Sequence, residues 1–153
     1  MSNSRKGVYT LLIRVKKPLS IVVGKLGRVF FERGIYAYTG SALGPGGLRS
    51  RIKRHLSKRK KLFWHIDYLL CQDGVRVIAV FSSESDKRLE CAVNQELMKH
   101  GFEVYYPGFG SSDCLQGCKS HLLAYKGRGR ALRKVYEAYS RIGLKAAVEI
   151  LEV

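Results

Sequence analysis

The chain has 153 residues, with 28 Lys and Arg against 12 Asp and Glu, which gives a formal net charge of +16. This excess predicts an anionic partner, nucleic acid above all. A hydrophobic content of 46% excludes a disordered polycation, and the length favours a single domain. The first residues are polar and no apolar run is long enough to cross a bilayer, so we expect a cytoplasmic protein without a membrane partner.

Four short strands are predicted in the first part of the chain. Residues 8–15 alternate and are rich in β-branched side chains, residues 21–24 and 28–32 have the pattern of hairpin arms, and residues 35–39 form a further strand.

A strongly basic helix is predicted next. Its apolar stripe is Leu48, Ile52 and Leu56, and the other faces carry Arg49, Arg51, Lys53, Arg54 and His55.

The second part of the chain alternates between predicted helices and strands. Helical spacing of leucines and an isoleucine over 62–70 precedes an apolar strand over 75–81, and Ser85 is expected to cap a helix that ends at Gly101. A strand over 102–106, an amphipathic helix ending near Gly143 and one more short element complete the order. The predicted fold is an α/β domain of the α+β type, with a small, mainly antiparallel sheet flanked by helices. We expect a main domain over 1–125, including the hairpin, and a basic helical extension over 126–153 packed on it.

A glycine-rich turn leads directly into the basic helix, over residues 40–47. Glycines let backbone amides approach a phosphate closely, and arginines donate to its oxygens in pairs. The segment therefore predicts a phosphodiester-binding site. The residues expected to contact nucleic acid are Gly40, Ser41, Arg49, Lys53, Arg54 and Lys58, which would hold the backbone without reading its sequence.

Several short motifs in this order resemble those of the GIY-YIG nuclease superfamily. They are Gly7-Val8-Tyr9, Tyr38-Thr39-Gly40, the helix with Arg51, and Glu90 within residues 89–93. A literal Gly-Ile-Tyr at residues 34–36 lies only two residues before Tyr38, so it cannot be a separate neighbouring strand. The resemblance spans about residues 7–106. The chain also resembles an uncharacterised prokaryotic subgroup of the superfamily that is sometimes fused to repair enzymes of the DNA-glycosylase type.

The resemblance implies a metal-dependent endonuclease that hydrolyses phosphodiester bonds, with DNA as the expected partner and DNA repair or processing as the expected role. It implies one Mg²⁺ or Mn²⁺ ion held by Glu90, with Tyr9 as the general base or the hydroxyl that orients the water. Tyr38 would bond near the scissile phosphate, Arg51 would stabilise transition-state charge, and His55 would contact or orient the nucleophile.

Two departures from the family pattern leave alternatives open. Ser41 stands where many relatives have a lysine, and the asparagine that often follows the catalytic helix has no clear counterpart. A non-catalytic nucleic-acid-binding module on the same fold is therefore the alternative function. Glu96 competes with Glu90 as the metal ligand, because it falls inside the apolar stripe of its helix, where a carboxylate should be paired or functional.

Four cysteines, Cys71, Cys91, Cys114 and Cys118, are too few and too unevenly spaced for a secreted disulfide framework, so thiols are expected. Some of them belong to a possible second cluster. Its members are His65, Asp67, Asp113, Cys114, Cys118 and His121. Cys114, Cys118 and His121 could begin a zinc site with His65 or Cys91 as the fourth ligand, and a zinc-stabilised adaptor is then a third function. A hydrogen-bonded loop and a Cys114–Cys118 disulfide are the other interpretations of this cluster.

Overall fold

A computed structural model of the chain describes residues 5–110 and 118–152. The elements in these two ranges, in chain order, are β1 (Gly7–Val15), β2 (Leu19–Val22), β3 (Arg28–Phe31), β4 (Gly34–Ala42), α1 (Gly47–Leu56), α2 (His65–Leu70), β5 (Val75–Glu84), α3 (Glu90–Met98), β6 (Phe102–Val104), β7 (Leu122–Tyr125), α4 (Ala131–Arg141) and β8 (Ala147–Ile150). No helix of the described residues combines the length and apolar character needed to cross a membrane.

Six strands form one sheet in the order β6-β7-β4-β1-β5-β8, and each pair of neighbours is antiparallel. β2 and β3 form a separate antiparallel hairpin. The predicted α+β fold with a mainly antiparallel sheet is confirmed. The two long central strands, β1 and β4, carry the two tyrosine motifs.

The register between β1 and β4 brings these motifs together. Tyr9 lies opposite Gly40, and Leu11 lies opposite Tyr38. The first motif is therefore on a strand next to the second, as the sequence predicts. The Gly-Ile-Tyr at residues 34–36 lies on β4 itself, in the same strand as Tyr38.

The sheet separates two hydrophobic cores. Alternate residues of β1, beginning at Tyr9, pack with α1, α2 and the hairpin, and the others, beginning at Val8, pack with α3 and α4. Both faces of β1 are buried, which explains its nearly continuous apolar sequence. The tyrosine hydroxyls and the basic helix consequently share one side of the sheet.

The C-terminal elements α4 and β8 contribute to the second core and to the sheet edge. Tyr139 of α4 is fully buried, and its hydroxyl is 2.8 Å from the hydroxyl of Thr10 on β1, which in turn lies 2.8 Å from that of Thr39. β8 pairs with β5 as an exposed edge strand. Helix α4 thus packs on the central strands, and the division of the chain at residue 126 stays a prediction.

Helix α2 and strand β6 are shorter than the sequence predicts, and two further elements differ more. Helix α3 begins at Glu90 and not near Ser85, because the Ser85 hydroxyl accepts from the Lys87 amide in a local turn. Strand β7 was not predicted at all. It has four residues, and pairing with β4 and β6 rather than its own periodicity makes it a strand.

Candidate active site

The Tyr9 hydroxyl lies between β4 and α1. It approaches the Gly40 backbone so closely that a Cβ at that position would lie 2.6 Å from the phenol oxygen. Only a glycine leaves room for Tyr9 in this rotamer. Burial raises the pKa of Tyr9 to about 12, while the charge and hydrogen bonding of Arg51 act in the opposite direction. Tyr9 is 1% exposed and is therefore a neutral phenol at pH 7.

His55, in the last turn of α1, contacts Tyr9. Its Nε2 is 2.7 Å from the Tyr9 hydroxyl, and the two groups share a hydrogen bond. His55 is buried, in contrast to the solvent-facing position that the apolar stripe of α1 predicts. Burial lowers the pKa of His55 to about 3, and the nearby charge of Lys60 adds to this effect. The imidazole is neutral, and its Nδ1 has no hydrogen-bond partner among the described residues.

Arg51 and Glu90 meet at Ser41, at the end of β4. Arg51 donates to the Ser41 carbonyl oxygen at 3.1 Å, and the Ser41 hydroxyl donates to Oε1 of Glu90. Glu90, the first residue of α3, is buried and has Arg88 3.6 Å from its second oxygen. Ser41 therefore links α1 to α3, in the position where many relatives were expected to have a lysine.

The competing glutamate lies at the other end of α3. Glu96 is as buried as Glu90, but its oxygens lie 3.1 Å from Nε2 of His100 and 3.7 Å from Nζ of Lys99. These partners satisfy the prediction that a carboxylate in the apolar stripe is paired. Of the two carboxylates, Glu90 is the one placed beside Ser41 and Arg51.

Tyr38 and Trp64 complete the aromatic surroundings of His55. The ring centroids of Tyr38 and His55 are 6.1 Å apart, and those of Trp64 and His55 are 5.8 Å apart. Arg51 and Arg54 both lie over Trp64, with their guanidinium carbons 4.5 and 4.4 Å from its ring centroid. Sequence reasoning assigned no role to Trp64. The sequence feature that could have indicated a role is that Trp64 is the chain's one tryptophan and stands immediately before α2.

Arg54, a predicted nucleic-acid contact, is half-buried and bound to a buried carboxylate. Its two terminal nitrogens donate to both oxygens of Asp67, at 2.9 and 2.8 Å. Asp67 is fully buried and also accepts from the amides of Phe63 and Trp64. Burial alone would raise the pKa of Asp67, but the hydrogen bonds from Arg54 and from the two amides lower it overall. Asp67, predicted for the second cluster, instead fixes α2 to α1.

Lys58 is likewise engaged with the backbone. Its Nζ donates to the carbonyl oxygens of Leu70, Gln72 and Val75 at 2.6 to 3.1 Å. Desolvation lowers the pKa of Lys58. Arg49 and Lys53, in contrast, are exposed on α1 and offer their charges to a ligand.

The glycine-rich turn does not present all its amides to a ligand. The Gly47 amide donates to the Gly44 carbonyl at 3.1 Å, and the Leu48 amide donates to the Arg5 carbonyl at 2.8 Å. These bonds fix the start of α1 against the segment before β1. The side chains of α1, more than the amides of the turn, are consequently available for phosphate.

The predicted second cluster is divided in the structure, with His65 and Asp67 in separate contacts and Cys118 and His121 together beside Cys91. His65 accepts from the Gly110 amide at 2.8 Å through Nδ1. Cys118 forms a disulfide with Cys91 rather than with Cys114, so two of the cysteines are not the expected thiols. His121 has its Nε2 3.9 Å from Sγ of Cys91. Asp113 and Cys114 lie outside the described residues.

Comparisons with known proteins gave one finding. The model of a family described as a domain of unknown function, DUF123, matches residues 8–144. The match covers Tyr9, the second tyrosine motif, α1, α3 and α4. Neither the search of curated proteins nor the search of solved structures gave a match.

Proposed function

We propose that this chain, which belongs to the DUF123 family, is a metal-dependent endonuclease of the GIY-YIG type that hydrolyses phosphodiester bonds of DNA. One observation carries the proposal. Tyr9, His55, Arg51 and Glu90 come from one strand and two helices, and hydrogen bonds through His55 and through Ser41 of β4 bring them to one place. A nucleophile, a proton acceptor and positive charge are what this hydrolysis requires.

The donor set at Glu90 suits a hard divalent cation. Mg²⁺ binds oxygen, and in nuclease-like sites it takes one or two carboxylates together with waters and phosphate oxygens. Glu90 and the Ser41 hydroxyl offer such oxygens, and the cationic neighbour of Glu90, Arg88, is on a side chain that is 64% exposed. Glu90 would hold the ion, which when bound would supply positive charge to the phosphate.

Tyr9 and His55 would together accept the proton of the attacking water. The Tyr9 oxygen takes the water proton, and the Tyr9 hydroxyl proton moves along the 2.7 Å hydrogen bond to Nε2 of His55. His55 is neutral at pH 7 and can therefore accept this proton, and its lowered pKa means that it holds the proton only transiently. The adjacent Arg51 favours negative charge on the Tyr9 oxygen and would stabilise the negative charge that develops on the phosphate.

The burial of Tyr9 favours the alternative function. A phenol that is 1% exposed cannot reach a water molecule unless the surrounding side chains move. A nucleic-acid-binding module that keeps the fold and does not cut would show this same burial. Exposed Arg49 and Lys53 would serve both functions equally, so cleavage rather than binding distinguishes them.

The test is cleavage of plasmid, branched DNA and structured RNA with Mg²⁺, with Mn²⁺ or with EDTA. Glu90→Gln is compared with Glu96→Gln, because both glutamates are 7% exposed and lie on the same helix. We expect metal-dependent nicking that Glu90→Gln and Tyr9→Phe abolish and Glu96→Gln retains. Binding without nicking on any substrate would establish the binding module. Equal activity of the Glu90 and Glu96 variants would show that the site assignment is wrong.

A further inference from the structure

We propose that Cys91, Cys118 and His121 form a zinc-binding centre when the two cysteines are reduced. The centre joins the first turn of α3 to the segment that leads into β7. It is separate in its chemistry from the proposed oxygen-donor site at Glu90, and it does not depend on the nuclease proposal.

The geometry places three donor atoms together. The two sulfurs and one imidazole nitrogen all lie within 4.8 Å of one another, and of the described residues these are the three that form such a group. Two sulfurs bound to one tetrahedral zinc ion, each at about 2.3 Å, are roughly 3.8 Å apart. The three donors therefore lie close enough to share one zinc ion once reduction lets the two sulfurs move apart to this distance.

The donor types select the metal. Thiolate sulfur and imidazole nitrogen are the ligands that zinc prefers in proteins, whereas Mg²⁺ and Mn²⁺ prefer oxygen. Three protein donors leave one position of a tetrahedral ion for a further ligand. The charge of two thiolates also balances that of Zn²⁺ in a site where Cys91 and His121 are 3% and 6% exposed.

The backbone around the donors is fixed on both sides. Asn94, one turn after Cys91 on α3, donates from Nδ2 to the Ser120 carbonyl at 2.9 Å. The His121 amide donates to the Phe109 carbonyl at 2.9 Å, and the His121 carbonyl accepts from the Thr39 amide at 3.3 Å. The imidazole is thus held beside α3 before any metal binds, which lowers the entropy cost of binding.

The disulfide of the structure and the zinc centre are two states of the same sulfurs. Reduction of the Cys91–Cys118 bond by a small thiol, which is oxidised to its own disulfide, adds two electrons and two protons and gives two thiols. Zinc binding then releases these two protons, since the ligands are thiolates. No other co-reactant is needed.

The experiment uses the full chain, reduced with a thiol and dialysed against zinc, and measures zinc per chain by mass spectrometry. We expect one zinc ion per chain, and cobalt in its place should show thiolate-to-metal charge-transfer absorption. Cys118→Ser and His121→Asn should lose the metal. Cys71→Ser is the matched control because Cys71 is a half-buried cysteine outside the group and should keep it.

Alkylation of the unmodified protein provides a test that does not depend on folding of the variants. Cys71 and Cys118 are both half-buried, so burial alone protects them similarly. We expect zinc to slow alkylation of Cys118 but not of Cys71, and a chelator to reverse this. Zinc near zero per chain, or alkylation of Cys118 at the same rate with and without zinc, would overturn the proposal.

Discussion

The Tyr9 hydroxyl and Nε2 of His55 lie 2.7 Å apart, although 46 positions of the chain separate the two residues. Both side chains are almost completely buried, and burial moves their pKa values in opposite directions, to about 12 and about 3. Each group is consequently neutral at pH 7. Transfer of the Tyr9 proton to His55 alone would leave two buried charges, a tyrosinate and an imidazolium, so in the proposed step the water proton reaches the Tyr9 oxygen as the hydroxyl proton leaves it.

The close approach of Gly40 to Tyr9 gives the first prediction. Gly40→Ala would place a methyl group 2.6 Å from the Tyr9 oxygen and so displace the hydroxyl from His55. We expect nicking activity to fall at least tenfold, in line with the 10²-fold or larger losses that follow misplacement of a catalytic group. Gly44→Ala is the control, since a Cβ there meets nothing within 4 Å. Equal loss in both variants would contradict the role of this contact.

The lowered pKa of His55 predicts that stability depends on pH. The unfolded chain binds a proton at His55 below about pH 6.5, whereas the folded chain binds it only near pH 3. Stability from this group is therefore full above pH 6.5 and is lost as the pH falls towards 3. We expect the native protein to lose about 2 kcal/mol more than His55→Gln between pH 8 and pH 5. Urea unfolding measures this difference, and parallel pH profiles would contradict it.

The Arg54–Asp67 pair predicts a loss of stability when its charge balance is broken. Asp67→Asn leaves Arg54 partly buried without its carboxylate partner and should cost about 2 to 3 kcal/mol, near the lower end for a buried pair because Arg54 is 29% exposed. Glu84→Gln breaks the exposed pair with Arg5 and should cost about 0.5 kcal/mol or less. Thermal and urea denaturation measure both costs. Similar effects of the two substitutions would contradict the structural role of Asp67.

Two basic residues, Arg49 of α1 and Lys58 just after it, are expected to differ, with Arg49 binding DNA and Lys58 stabilising the fold. Arg49→Gln should reduce the slope of log affinity for duplex DNA against log salt concentration by about 0.9, since one phosphate contact is lost. Lys58→Met should leave that slope unchanged and lower the melting temperature, because three carbonyls lose their donor. Fluorescence anisotropy titrations at several salt concentrations measure the slopes. A change of slope in Lys58→Met would restore Lys58 as a DNA contact.

The central strands and the helices could be predicted from the sequence because their patterns are local. Runs of β-branched and aromatic residues mark β1 and β4, and the spacing of leucines and isoleucines marks α1 and α2. The short strand β7 could not be predicted, because pairing with distant strands defines it.

The order of the motifs identified the candidate site residues, which are Tyr9, Tyr38, Arg51, His55 and Glu90. The contacts between them depend on tertiary structure and could not be predicted. The apolar stripe of α1 predicts His55 on a solvent-facing side, whereas the structure buries it beside Tyr9. The intramolecular hydrogen bonds of Arg54 and Lys58 could not be predicted either. A positive side chain in the sequence does not show whether its partner is a carbonyl, a carboxylate or a phosphate.

The position of Trp64 has a practical consequence. It is the chain's single indole, and the guanidinium groups of Arg51 and Arg54 lie over its ring. Its intrinsic fluorescence therefore reports from the centre of the candidate site without any attached dye. A polyanion that draws Arg51 away from the indole should change the emission, whereas one bound only at the far end of α4 should not.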